Sequence, residues 1–373
     1  MENAIVAEKL TTLMSDQGLD AIVCLSPENI AYGAGLVVPS QVLMRWRHAA
    51  FIMTARGEVS FLCVDMEADT VRTARPDWDV RTWTEFIDNA MHVLGKVLAS
   101  LGLSGCRVGI ELDYLAARHF DDLRSVCGGV EFVSVDAALT VVRQIKTPSE
   151  VDLLARLSRT TETAIIDALG AVRAGDTEMD IAATLTRRVY EQGADSFKLM
   201  IVATGERSQL PNVGPSTRVL QPGDVCRVEI FSVADGYQAG VCRTAVVGEP
   251  TTLAMDVYRR LVECKRQVLD ALRPGAVAGE VYRTYRKHFD ALKMPAIGFV
   301  GHSIGVNLHE APYLGPRVAD RLQEGMVLGI EPLVYRSGHG FGMQIKDMVH
   351  VTADGRELLS DVASTDELIR IEA

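Results

Sequence analysis

The stretch Val142-Arg143-Gln144-Ile145-Lys146-Thr147-Pro148-Ser149-Glu150 divides the chain into two halves of different character. Thr147 or Ser149 can cap a helix here, with Pro148 near its first turn and Glu150 favouring the positive helix end. The pattern that follows predicts a long amphipathic helix over Val151–Ala171. Upstream, short apolar runs alternate with helical stretches. Ala21 to Ser26 reads as a buried strand ended by Ser26-Pro27, and 48–54 and 59–64 read as a hairpin about Ala55-Arg56-Gly57-Glu58. Arg107 to Leu112 and Val130 to Val135 add strands, so the first half is an α/β layer.

Downstream, helices are predicted over 178–192, 253–272 and 277–292, with strands at 225–231, 237–247, 327–335 and 344–352. A chain of 373 residues suits two domains, placed at 1–142 and 143–373. The fold class is α/β (α+β).

Hydrophobic residues make up 48% and charged residues 23%, enough to bury a large core. The net charge of −11 argues against nucleic acid as a partner, because little basic surface remains for phosphates. No apolar run approaches the roughly 20 residues of a spanning helix. Met1-Glu2-Asn3-Ala4 lacks the basic start and apolar stretch of a signal peptide. The seven cysteines are scattered and never form CxxC, which suits a reducing cytoplasm. Ala203-Thr204-Gly205-Glu206 lacks the glycine spacing of a phosphate loop.

Chemistry concentrates in the second half. It holds Val228-Glu229-Ile230-Phe231, then Gly240-Val241-Cys242-Arg243-Thr244, then Gly301-His302-Ser303-Ile304-Gly305, His309-Glu310-Ala311-Pro312, Gly329-Ile330-Glu331-Pro332 and Gln344-Ile345-Lys346-Asp347. A buried lysine needs a carboxylate partner or a depressed pKa. Two carboxylates and two histidines within reach of it would make an acid–base site.

In order and spacing these runs resemble the creatinase / prolidase / aminopeptidase P superfamily, and Arg-x-Ile-Lys-x-Pro-x-Glu resembles the entry to its catalytic domain. The resemblance implies a creatinase-like N-terminal α/β domain followed by a pita-bread catalytic domain of two pseudo-equivalent halves. Most members bind two divalent metals through two Asp, one His and two Glu. Here Glu229 takes the first Asp position, Phe231 replaces the Gly two residues on, Gly240 replaces the second Asp, and Lys346 replaces a bridging Glu. The resemblance therefore implies a metal-free site with no cofactor. Which of His302 and His309 acts on protons stays open, as does whether Glu229 attacks carbon or only pairs with Lys346. Glu331 matches the remaining ligand Glu and would activate water, while Lys346 supplies fixed charge.

Among substrate-binding candidates, Arg45 and Arg47 of Arg45-Trp46-Arg47-His48 can hold a carboxylate. In the family, the corresponding loop reaches a partner's active site, which implies a homodimer. Asn212 stands where relatives carry a proton-shuttling His, and Arg317 and His339 complete the set. The function expected from these replacements is metal-independent hydrolysis of a non-peptide C–N bond in a small nitrogenous carboxylate, as in creatinase and ectoine hydrolase. The alternatives are an Xaa-Pro metallo-aminopeptidase with an altered metal site, or a lyase, cyclase or binding module on this fold.

Overall fold

A computed structural model describes residues 2–373 as two compact units, with the chain passing from one to the other between Arg143 and Gln144. In the first, six strands form one sheet: β1 (Ala21–Cys24), β2 (Ala50–Thr54), β3 (Val59–Val64), β4 (Asp79–Trp83), β5 (Arg107–Ile110) and β6 (Glu131–Ser134). Their order is β4-β3-β2-β1-β5-β6, parallel except where β2 runs against both its neighbours. β1 is buried along its whole length, as a central strand covered on both faces must be. It stops at Cys24 because Ser26 turns to cap the helix Pro27–Ala34, accepting from Asn29 N at 3.1 Å. The predicted hairpin is β2–β3, closed through Gly57 at φ 84°.

The second unit opens with the helix Pro148–Gly170. Thr147, not Ser149, is its cap: Thr147 Oγ1 accepts from Glu150 N at 3.2 Å, and the Glu150 carboxylate accepts from Thr147 N at 2.7 Å. Helices Glu178–Glu191, Thr252–Ala271 and Ala278–Phe289 follow. One sheet joins β7 (Ser196–Thr204), β8 (Val225–Ala234) and β9 (Tyr237–Val247) in sequence order. A second has the order β11-β10-β12-β15-β16, built from β10 (Gly301–Ser303), β11 (Glu310–Tyr313), β12 (Val327–Ile330), β15 (Asp347–Thr352) and β16 (Gly355–Leu358). β13 (Leu333–Val334) pairs with β14 (Met343–Gln344), and β17 (Ile369–Ile371) lies parallel to β9 at the edge of the first sheet. The core between helices and sheets includes Val257, Leu261, Val281, Tyr285, Leu328 and Val349.

Two features of this unit place the site. β8 and β9 turn about Asp235 and Gly236, both at positive φ, which sets the register Glu229 opposite Cys242 and Phe231 opposite Gly240. The strands predicted over 327–335 and 344–352 are each broken. Pro332 interrupts the first. In the second, residues 344–346 bond to β9 and β13, and only from Asp347 does the chain pair with β12. Lys346 sits at that change of partner, its main chain clamped to Cys242 by N–H···O bonds of 3.1 and 3.2 Å. No helix among the described residues is long and apolar enough to cross a membrane.

Candidate functional site

Lys346 is the centre of the cluster, its side chain 1% exposed. Nζ lies 3.1 Å from Glu331 Oε2, 3.4 Å from Glu229 Oε1 and 3.1 Å from His302 Nε2. His302 Nδ1 stands 2.8 Å from Ser303 O, and its Nε2 also lies 3.2 Å from Glu331 Oε1. The ammonium thus has three polar neighbours, two of them carboxylates. The face of Phe231 closes the remaining side, 4.4 Å from Nζ. Burial works against the charge of Lys346, but Glu331 and Glu229 outweigh it and raise the pKa. Burial likewise pushes Glu331 up, and Lys346 and His302 overcome it, holding the carboxyl down to about 2.

Further residues hold these groups in place. Gln344 Nε2 donates to Glu331 Oε2 at 3.2 Å and receives Arg227 Nη1 on its own oxygen at 3.0 Å. Lys146 Nζ bonds Glu310 Oε2 at 3.0 Å and Ser303 Oγ at 3.2 Å, steadying the residue whose carbonyl anchors His302. The Asp347 side chain turns away from the Lys346 ammonium into a buried network with Arg243, Lys265 and Ser360.

His302 is fully buried, while His309 is exposed at the mouth of the cluster. Their rings stack at 3.6 Å and 16°, with Phe299 and Tyr313 about 6 Å away. Burial, then His302 and Lys346, push His309 down to about 4, leaving it neutral at physiological pH. Burial and then Glu331 raise Tyr313, so its phenol stays protonated and can donate. The sequence reading missed Tyr313 and Phe299. Their only trace there is an aromatic residue on either side of the two-histidine run.

The substrate-binding candidates are scattered. Asn212 and Arg317 are exposed loop residues. His339 lies on the rim of a cavity of about 600 Å³ lined also by Glu206, Arg218, Asp224 and Phe341, away from Lys346 and its acceptors. In the first unit, Arg47 is already matched to Glu85 by two bonds of 3.0 and 2.8 Å. Arg45 donates to Tyr114 O at 2.8 Å and lies over that ring.

The residues do not fit the two-metal centre of the resembling superfamily. Gly240 offers no ligand, and Lys346 sets an ammonium against the oxygen and nitrogen a dication would need. Donor atoms of His302, His309 and Glu331 do lie within 4.8 Å of one another. Stacked, nearly parallel imidazoles, however, point their lone pairs along separate planes, and an ion about 2.0–2.1 Å from each nitrogen cannot lie in both.

Residues 152–353 match Metallopeptidase family M24, and residues 7–145 match the Creatinase/Prolidase N-terminal domain. The chain belongs to the M24 metallopeptidase family. It is 25% identical over 359 residues to the Xaa-Pro dipeptidase of Pyrococcus furiosus, covering 95% of this chain and 97% of that one. It is 30% identical over 255 residues to the Xaa-Pro dipeptidase of Lactobacillus helveticus, covering 66% and 68%. The crystal structure of dipeptidase PepE from Mycobacterium ulcerans superposes with a TM-score of 0.83 at 25% identity over 100% of both chains. These relatives carry the names of peptide hydrolases. They overturn the expectation of a creatinase-like or ectoine-hydrolase-like enzyme for non-peptide C–N bonds and favour the peptidase alternative. That expectation followed from the lost ligands alone, and lost ligands report how charge is supplied rather than which bond is cut.

Proposed function

We propose that this chain hydrolyses the peptide bond of short peptides with a free amino terminus, Xaa-Pro dipeptides among them, using the Lys346 ammonium in place of metal ions. The observation that carries this reading is Lys346 held by Glu229, Glu331 and His302 within an M24 fold. Glu331 is held as a carboxylate beside Glu229, and acidic groups here suit the α-ammonium of a peptide. Glu331, held near 2, is a poor proton acceptor at neutral pH and serves as a charge clamp with Glu229. The neutral ring of His309 takes the proton of the attacking water, the Tyr313 phenol donates to the carbonyl oxygen as it gains charge, and His309 then passes that proton to the leaving amine nitrogen as the C–N bond breaks. Lys346, being buried, touches no substrate and holds both carboxylates in register.

A cytoplasmic location and a homodimer belong to the same reading. The first is supported by seven free cysteines, the second by Leu43, Phe86 and Ile87, each at least 81% exposed on the first unit. Chromatographic assay of Xaa-Pro dipeptides and their N-acetyl forms, before and after dialysis against a chelator, tests the function. Free dipeptides are expected to turn over equally in both preparations and the acetylated ones not at all. No cleavage of any peptide, or cleavage lost on chelation and restored by metal, refutes it.

A further inference from the structure

Phe231 and Gly240 face one another across β8 and β9. A Cβ built on Gly240 would lie 2.3 Å from Phe231 Cε1 and 2.6 Å from Cδ1 and Cζ, distances no side chain tolerates. The ring therefore fills the volume into which a residue at 240 would project. The same ring turns its face to Lys346 Nζ. Opposite, Gly329 leaves room for the lysine, since a Cβ there would stand 3.1 Å from Lys346 Cε. In the resembling superfamily the cross-strand pair runs the other way, with Gly at the position of Phe231 and the metal-bridging Asp at that of Gly240. Bulk has moved from one strand to its neighbour, and a cation has moved in beneath it.

We propose that Phe231, Gly240 and Lys346 form one coupled unit that occupies both the volume and the charge of a divalent-cation centre, so that reverting any one of them alone cannot restore metal binding. Lys346→Glu alone leaves the ring where a bridging carboxylate must go. Gly240→Asp alone drives a carboxylate into the ring and beside a filled ammonium shell. Phe231→Gly alone uncovers the ammonium without removing it. The inference concerns what fills this position and holds whichever peptide, if any, is cleaved.

The test is titration of the full chain with Co2+, read by its d–d absorption and by equilibrium dialysis. It covers the wild type, the three single variants and F231G/G240D/K346E. The triple variant is expected to bind Co2+ about tenfold or more tighter than any single variant, the scale of coupling between residues in contact. The wild type is expected to show no stoichiometric uptake. Stoichiometric binding by the wild type, or by K346E or G240D as tightly as by the triple, overturns the proposal. Thermal denaturation supplies an independent readout should the triple not fold. G240D is expected to lower the melting temperature much less in F231G than in the wild-type background, and equal lowering in both overturns the coupling.

Discussion

Replacing Lys346 with Met keeps most of the side-chain volume and removes the ammonium from between two buried carboxylates. Glu331 shows what the charge is worth. Its carboxyl is held down from 4.5 to about 2 against the opposing effect of burial, and a drop of that size corresponds to about 3 kcal/mol. Breaking a buried ion pair from one side costs about 3–5 kcal/mol in general, so K346M should lose that much stability at neutral pH. The pH dependence supplies a sharper signature. In the wild type the folded pKa of Glu331 is depressed, so its contribution is complete above about pH 4.5 and fades only as pH falls towards 2. In K346M, Glu229 and Glu331 face each other unneutralised and their pKa values rise. Acidification from pH 7.5 to 5 should then stabilise the variant while leaving this contribution in the wild type unchanged. All three tryptophans, Trp46, Trp78 and Trp83, lie in the first unit, so urea denaturation of the second must be followed by far-UV circular dichroism. The double variant E331Q/K346M, with one carboxylate neutralised, should recover part of the loss. A loss below about 1 kcal/mol, or parallel pH profiles for K346M and wild type, would refute the claim that Lys346 is the charge centre of this site.

Other substitutions probe the surroundings. K146M strands the Glu310 carboxylate in a buried position and frees Ser303, so urea titration should show a loss of about 3–5 kcal/mol. D347N removes the partner shared by Arg243 and Lys265 and should destabilise by a similar amount, read by the same urea titration. The rate kcat/KM for a dipeptide should fall as pH drops through about 4, when His309 protonates, and H309A should lose both most of the activity and that acid limb. Y313F should lower kcat by about 100–1,000-fold with KM little changed, as expected for a donor acting on the developing oxyanion.

Local chemistry was the legible part of the sequence. The helix start around Thr147-Pro148, the Ser26-Pro27 stop, the turn at Ala55–Glu58 and the order of the motif runs are all signals carried within a few neighbouring residues. Elements defined by distant partners were not legible. β10, β13 and β14 are two or three residues long and exist only because other strands meet them. β7 was missed although Leu199 to Ala203 is a continuous apolar run, its first half being only partly buried. Glu229, His302, Glu331 and Lys346 were recognised as a set, but not the stacking of His309 on His302 or the presence of Tyr313, which depend on β10 pairing with β11. Loss of Asp at position 240 could be read directly. That Phe231 had taken over its volume required the cross-strand register.

The place of the ammonium is fixed by main chain rather than by the carboxylates that neutralise it. Lys346 exchanges both backbone bonds with Cys242, and its carbonyl also accepts from Arg243 Nη1 at 2.8 Å. Arg243 is itself bound to Glu162 and Asp347, at 2.6 and 2.7 Å. The side chain therefore starts from a rigid point and runs past Gly329, where any other residue would crowd it. A cation held this way cannot follow a substrate or swing towards solvent, unlike a surface lysine with four free torsions. In the proposed function its effect reaches the substrate through the two carboxylates it orients. On the same proposal, chemistry at this site falls to the groups that remain reachable, His309 and Tyr313, with the buried quartet behind them setting charge and geometry.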